Sequence, residues 1–154
     1  MFSLYELKPF LHDAPFCLTT VDTVFHENEF SAFLEAFREN RHIDGLMAVT
    51  NFVDDEKPLF LDVDEDLRIR DFCDERPPTG KYVSGGIYCL RPAVWRVLDI
   101  TMQSGMTRMR DFQRQLVRQS LRLKVFPFSK IVDIDHAADI AVAEELVKKR
   151  NPPV

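Results

Sequence analysis

Two aspartates more than a hundred residues apart each close a short apolar stretch. Asp22 follows FCLTTV (16–21), and Asp135 follows IVDI (131–134). A carboxylate at the end of a buried strand costs free energy unless it is paired, hydrogen-bonded or bound to a cation. Open α/β sheets also place their ligand sites at the carboxyl ends of strands. Asp22 has a plainer reading, as a turn or cap residue feeding the next helix, because Asp closes turns through local hydrogen bonds. Asp133 and Asp135 alternate with Ile134, so both project to one side of a short strand while Ile134 points inward. Capping of a final helix by Asp135 or His136, with Asp139 in the first turn near the positive end of the dipole, accounts for one aspartate. It does not account for a strand that ends in two.

A third group lies in FCDERPPTGKYVSGGIYCLRP (72–92), where Glu75 and Arg76 precede a Pro-Pro turn. In the strand that follows, Gly85 and Gly86 are adjacent. Paired glycines weaken a strand, so they mark a bulge or a place where another molecule meets the backbone. They can equally make room for a large neighbour such as Trp95. Glu75 and Arg76 are otherwise an ordinary solvated pair. His12, His26, His42 and His136 have no spacing that suits a metal, and no Ser-His-Asp or Cys-His arrangement can be read.

These residues need a scaffold, and the chain has the length of one domain, 154 residues, with 45% hydrophobic and 29% charged residues. The reading places a single domain at 1–150 and a frayed tail at 151–154. A formal charge of -5, with no basic run longer than KKR (148–150), excludes a nucleic-acid footprint. Cys17, Cys73 and Cys89 show no CxxC spacing and sit among apolar neighbours, which predicts buried free thiols in a reducing compartment. Neither a leader nor an apolar run of membrane-spanning length is evident, so a cytoplasmic protein is expected.

The elements follow from periodicity. Residues 3–12 suit a short helix and 16–21 a strand. Phe30, Phe33, Leu34 and Phe37 fall at i, i+3, i+4 and i+7, which predicts a helix over 28–40 with Asn28 as N-cap. Strands are predicted at 45–52, 81–90, 121–128 and 131–134. Residues 58–72 read as a hairpin with DED (64–66) at its turn. Helices are predicted after Pro92, over 109–119 and over 137–149. The interleaving argues for an α/β fold of three layers, a mixed and mainly parallel sheet flanked by helices.

In this order, the pieces resemble the nucleotide-sugar pyrophosphorylases, which are sugar-1-phosphate nucleotidyltransferases of GT-A-like fold. PFCLTTVDTVF resembles that family's strand ending in a metal-binding aspartate, and VDEDLRIRDFCDERP its acidic hairpin and Glu-Lys-Pro signature. YVSGGIYCLRP is similar to its glycine-containing strand, and VDIDHAADIAVAEELV to its closing Asp-Thr-Pro-Glu-Asp-Leu segment. The resemblance implies Mg²⁺ held by Asp22 and Asp135, Glu75 on the sugar hydroxyls, Arg76 in place of a phosphate-binding lysine, and Gly85 and Gly86 against the sugar. It implies transfer of a nucleotidyl group from a nucleoside triphosphate to a sugar 1-phosphate with release of pyrophosphate.

The sequence departs from that pattern at several points. Val21 stands where the family has a small residue, and His136-Ala137 replaces Thr-Pro. The family's glycine-rich loop, roughly GxGTRL, has no counterpart here, so the expectation is a domain corresponding to the C-terminal two-thirds of the family fold. FCLTTV then becomes an exposed sheet edge, which predicts a homo-oligomer or a partner chain supplying the remainder. The alternative to an active transferase is an inactive relative that binds a sugar phosphate or a protein.

Overall fold

In the computed structural model the described residues are 1–11, 13–53, 57–78 and 80–148. His12 and the tail at 151–154 lie outside them. The order is α1 (Phe2–Leu11), β1 (Phe16–Thr19), β2 (Thr23–Phe25), α2 (Glu27–Glu39), β3 (Gly45–Thr50), β4 (Phe60–Val63), β5 (Ile69–Cys73) and β6 (Tyr82–Leu90). There follow α3 (Val94–Gln103), α4 (Met109–Arg118), β7 (Leu123–Pro127), β8 (Ile131–Asp133) and α5 (Ala137–Lys148). Among the described residues no helix is long and apolar enough to cross a membrane.

Among the described residues six strands form one sheet in the order β5–β4–β6–β3–β7, with β1 paired only to β6. The nine-residue β6 changes neighbour halfway: Tyr82 and Val83 pair with β4, whereas Ile87 to Leu90 pair with β1. The α/β class and the mixed sheet are as expected. The balance within the sheet differs, because β3–β7 is its one parallel pair among the described strands and the others are antiparallel. The reason lies in β6, which runs against β1, β3 and β4 alike. All six residues of β3 are buried, as a central strand requires, while β1 alternates half-buried and exposed residues, as an edge does.

Alternation along β3 and β6 builds the three layers. Met47, Val49, Tyr88 and Leu90 face α3 and α4 in one apolar cluster with Leu98, Phe112 and Leu116. Leu46, Ala48, Ile87 and Cys89 face α2, which contributes Phe33 and Phe37. α5 packs Ala143 and Leu146 against Val132 of β8. The expected phenylalanine stripe of α2 is thus its buried face. Its N-cap is His26 rather than Asn28, in extended conformation and with no side-chain cap bond. Glu27 and Glu29 then occupy the first turn, where the helix dipole favours acids.

The predicted hairpin is present. Asp64 closes its turn by accepting the N–H groups of Asp66 and Arg68, at 3.0 and 2.9 Å. The expected burial of all three thiols holds only for Cys89; Cys73 is intermediate and Cys17 is exposed. Cys17 sits on the face of β1 opposite Phe16, and Phe16 stacks on Trp95 at 4.6 Å. An edge strand buries one face only, and local apolarity does not say which.

Candidate functional site

The site is organised by a two-stranded ribbon at one end of the sheet. The chain leaves β1 at Thr19, turns through Thr20 to Asp22, and runs as β2 antiparallel to β8, with Thr23 opposite Asp133. Beyond the last pair, the Ile134 N–H donates to the Asp22 carbonyl at 3.0 Å. This bond places Asp22 next to a residue flanked by Asp133 and Asp135. Segments more than a hundred residues apart therefore meet at one ribbon end.

The plain readings of these aspartates can be checked against hydrogen bonds. Asp139, in the first turn of α5, accepts the backbone N–H groups of Asp135 (3.1 Å) and His136 (2.7 Å). The cap is therefore made from inside the helix, and Asp135 is not the capping side chain. Among the described residues neither the Asp135 nor the Asp22 carboxylate has a hydrogen-bond or ion-pair partner. Asp135 and Asp133 both line a small cavity of about 40 Å³ with Ser84, Gly85 and Phe52. Asp22 lines neither this cavity nor the recess beside it.

Asp133, which the sequence pairs with Asp135 without giving it a role, is held in place. Its Oδ1 accepts the Thr23 hydroxyl at 2.7 Å, and the Thr23 hydroxyl in turn touches that of Thr20. Gly86 is what admits the two threonines. A Cβ there would lie 2.8 Å from Thr20 Oγ1 and 3.1 Å from Thr23 Oγ1, and its φ of 72° favours glycine. Gly85 answers to a different neighbour, because a Cβ would fall 2.2 Å from Ile131 Cδ1. Ile131, not Trp95, is the large residue for which that glycine makes room. Both glycines sit in the bulge where the β3–β6 register shifts between Met47 and Val49.

Beside Asp133 a second recess, of about 170 Å³, is bounded by Thr20, Lys57, Gly86, Arg110 and Gln113. It shares Asp133 and Ser84 with the first cavity. Sequence periodicity missed this wall: in MRDFQRQLVR, Gln113 looks like one more solvated residue, yet it is buried on α4. Glu75 and Arg76 are exposed after β5, outside both cavities, with the Arg76 guanidinium over the Phe60 ring at 5.1 Å. No group of three or more His, Cys, Asp or Glu able to hold a metal occurs among the described residues.

A mixed sheet between helix layers, with the β2–β8 ribbon lying beyond the end of β1, defines the class: this is the fold of the sugar-phosphate nucleotidyltransferases. Among solved structures, the inositol-1-phosphate CTP transferase from T. maritima superposes with a TM-score of 0.78 at 21% identity, covering 99% of this chain and 63% of that one. A protein described as a glucose-1-phosphate thymidylyltransferase, from Bacillus anthracis, gives 0.76 at 14% identity, covering 99% and 62%. An apo UDP-glucose pyrophosphorylase gives 0.68 at 15% identity, covering 97% and 60%. No protein-family profile matches the chain, and no curated protein matches it in sequence. The chain spans about three-fifths of the length of these structures. The resemblance read from the sequence is thus supported at the level of the fold.

Proposed function

We propose that this chain carries the metal and acceptor side of a nucleotidyl transfer from a nucleoside triphosphate to a sugar 1-phosphate. One observation carries the reading: Asp139 takes the helix cap, so Asp135 stands without a partner at the ribbon end where Ile134 bonds to Asp22. Asp135 is exposed and Asp22 half-buried, so both carboxylates are open to a cation from solvent. Asp22 and Asp135 would hold Mg²⁺ in this reading, with phosphate oxygens and water completing its shell. An ion held there would supply charge neutralisation between two polyanions; in the transfer a sugar-phosphate oxygen bonds to the α-phosphorus as the α–β phosphoanhydride bond breaks and pyrophosphate leaves. Thr23 and Thr20 fix Asp133, and the Gly85–Gly86 bulge brings backbone up to the acceptor. Glu75 and Arg76 are candidate contacts for its outer face.

The transfer also needs a cradle of backbone N–H groups for the triphosphate, and this sequence contains no glycine-rich loop. In the proposal, further polypeptide supplies that cradle, of this chain or of another, by adding a strand to β1, which is paired on one side only. The test is pyrophosphate release from each nucleoside triphosphate with Mg²⁺ and a panel of sugar 1-phosphates. Release that is lost in Asp22→Asn and Asp135→Asn supports the transfer. If the wild type releases none on any substrate while still binding a sugar phosphate, the second reading stands: a non-catalytic sugar-phosphate-binding subunit.

For the β1 edge, light scattering at tens of micromolar is expected to show a dimer or larger assembly. A clean monomer would overturn self-association.

A further inference from the structure

Away from the ribbon, β1 and β6 set two cysteines side by side. Their antiparallel register runs Phe16–Leu90, Cys17–Cys89, Leu18–Tyr88 and Thr19–Ile87. One step further on, the Thr20 N–H donates to the Gly86 carbonyl at 3.1 Å, which makes Thr20–Gly86 a hydrogen-bonded pair. The two kinds of pair alternate along a ladder, so Leu18–Tyr88 is hydrogen-bonded again. Thr19–Ile87 and Cys17–Cys89 are then the non-hydrogen-bonded pairs. Cα atoms of such a pair lie about 4.5 Å apart with both side chains on one face, inside the range of about 4.4–6.8 Å that a disulfide spans. The ladder has already brought the two sulfurs to bonding reach.

Both thiols are free, and they differ. Cys17 is exposed on the edge strand, whereas Cys89 is 2% exposed and packs with Leu46 and Ile87 on the side of the sheet that α2 covers. The Cys89 S–H donates to the Cys17 sulfur, which holds the Cys17 thiol below its ordinary value against an opposing push from desolvation. The same bond, together with burial, pushes the Cys89 thiol up. Thiolate character therefore falls on the accessible sulfur and the proton stays on the shielded one, the division between a thiol that is oxidised first and one that resolves it. Cys73 offers no such pairing: it stands opposite Phe60 on the β4–β5 hairpin, and burial with Asp71 and Asp62 nearby pushes its thiol up.

We propose that Cys17 and Cys89 are a redox-active dithiol, closed to a disulfide by a hydroperoxide and reopened by a thiol reductant, which fixes the edge strand β1 to β6. The Cys17 sulfur attacks one peroxide oxygen and the O–O bond breaks. Cys17 becomes a sulfenic acid, and the departing hydroxide takes up a proton as water. The Cys89 sulfur then displaces the hydroxyl from Cys17: the S–S bond forms, the S–O bond breaks, and the Cys89 proton leaves with the hydroxyl as a second water. Two thiols thus give up two electrons and two protons to one peroxide. The consequence falls on a strand of four residues paired on one side only, from which the turn to Asp22 hangs. Short edge strands open readily, and a covalent link at the second residue of β1 opposes that opening.

Hydrogen peroxide on the full chain under native conditions, followed by alkylation and peptide mass mapping, tests this. The expected product is one intrachain bridge between the Cys17 and Cys89 peptides, reversed by dithiothreitol and formed equally in Cys73→Ser. In Cys89→Ala the bridge should vanish and Cys17 should instead be trapped as a sulfenic acid by a nucleophilic probe. Closing the bridge should raise the melting temperature by several degrees. It should also slow hydrogen exchange of the Thr20 amide at least several-fold. Three mapping results overturn the proposal: Cys17 and Cys89 both remaining free thiols, Cys17 joined only to Cys17 of a second copy, or Cys17 oxidised beyond the sulfenic acid with Cys89 still free. A bridge that moves neither the melting temperature nor Thr20 exchange overturns the fixing of β1.

Discussion

Two ends of one sheet use aspartate in opposite ways. At the start of β3, Asp44 is fully engaged: its carboxylate accepts the Arg122 N–H at 2.8 Å and that residue's Nε and Nη2 at 3.0 Å. Nearby, Arg91 donates to the carbonyls of Ile43, Phe37 and Asn40, so the end of α2 is locked to the sheet. At the far end, where β1 and β8 finish, the Asp135 and Asp22 carboxylates are left without a partner among the described residues. Asp44 is bonded into the scaffold, whereas Asp135 lines the small cavity and Asp22 stands outside it.

The largest expected effect tests the idle pair. Asp135→Asn or Asp22→Asn should lower pyrophosphate release at least about a hundredfold, with thermal stability changed by no more than about 0.5 kcal/mol, since no structural bond is removed. A large loss of stability in either variant would mean that the carboxylate serves the fold. At the opposite end the pattern should invert. Asp44→Ala, which strands Arg122 and the Arg122 N–H, should cost about 2 kcal/mol in urea unfolding and leave Mg²⁺ binding untouched.

A smaller effect separates Asp135 from its neighbour. Asp139→Ala removes the acceptor of two N–H groups and should cost about 1 kcal/mol. If Asp135 then turns to cap α5, Mg²⁺ affinity should fall as well, which a titration reads directly.

The smallest effect is in pH. The Arg122 guanidinium holds the Asp44 carboxyl below the usual carboxylate range, against an opposing push from burial. A depressed folded pKa stabilises the native state above the unfolded value and loses that contribution as pH falls through the folded one. The stability gap between wild type and Asp44→Asn should thus be flat above about pH 5 and shrink below about pH 4. A gap that widens on acidification would contradict the assignment.

Most elements were legible because they rest on local periodicity. The i, i+3, i+7 phenylalanines of α2 and the DED turn fall where the sequence puts them. Pairing was less legible, since the antiparallel run of β6 against three strands is set by contacts between distant segments. The ribbon bond from Ile134 to Asp22 belongs to that class: two aspartates could be nominated, but their adjacency could not. Asp139 as the cap was half visible, as a first-turn acid. Gln113 was invisible, because one buried amide inside a charged amphipathic helix leaves no mark on the pattern.

Calorimetric titration of the wild-type chain with Mg²⁺, alone and with inositol 1-phosphate, tests the central claim most directly. Binding that tightens with the sugar phosphate and disappears in Asp135→Asn is the predicted result. A flat titration in both conditions, with a melting temperature that Mg²⁺ does not move, would contradict it.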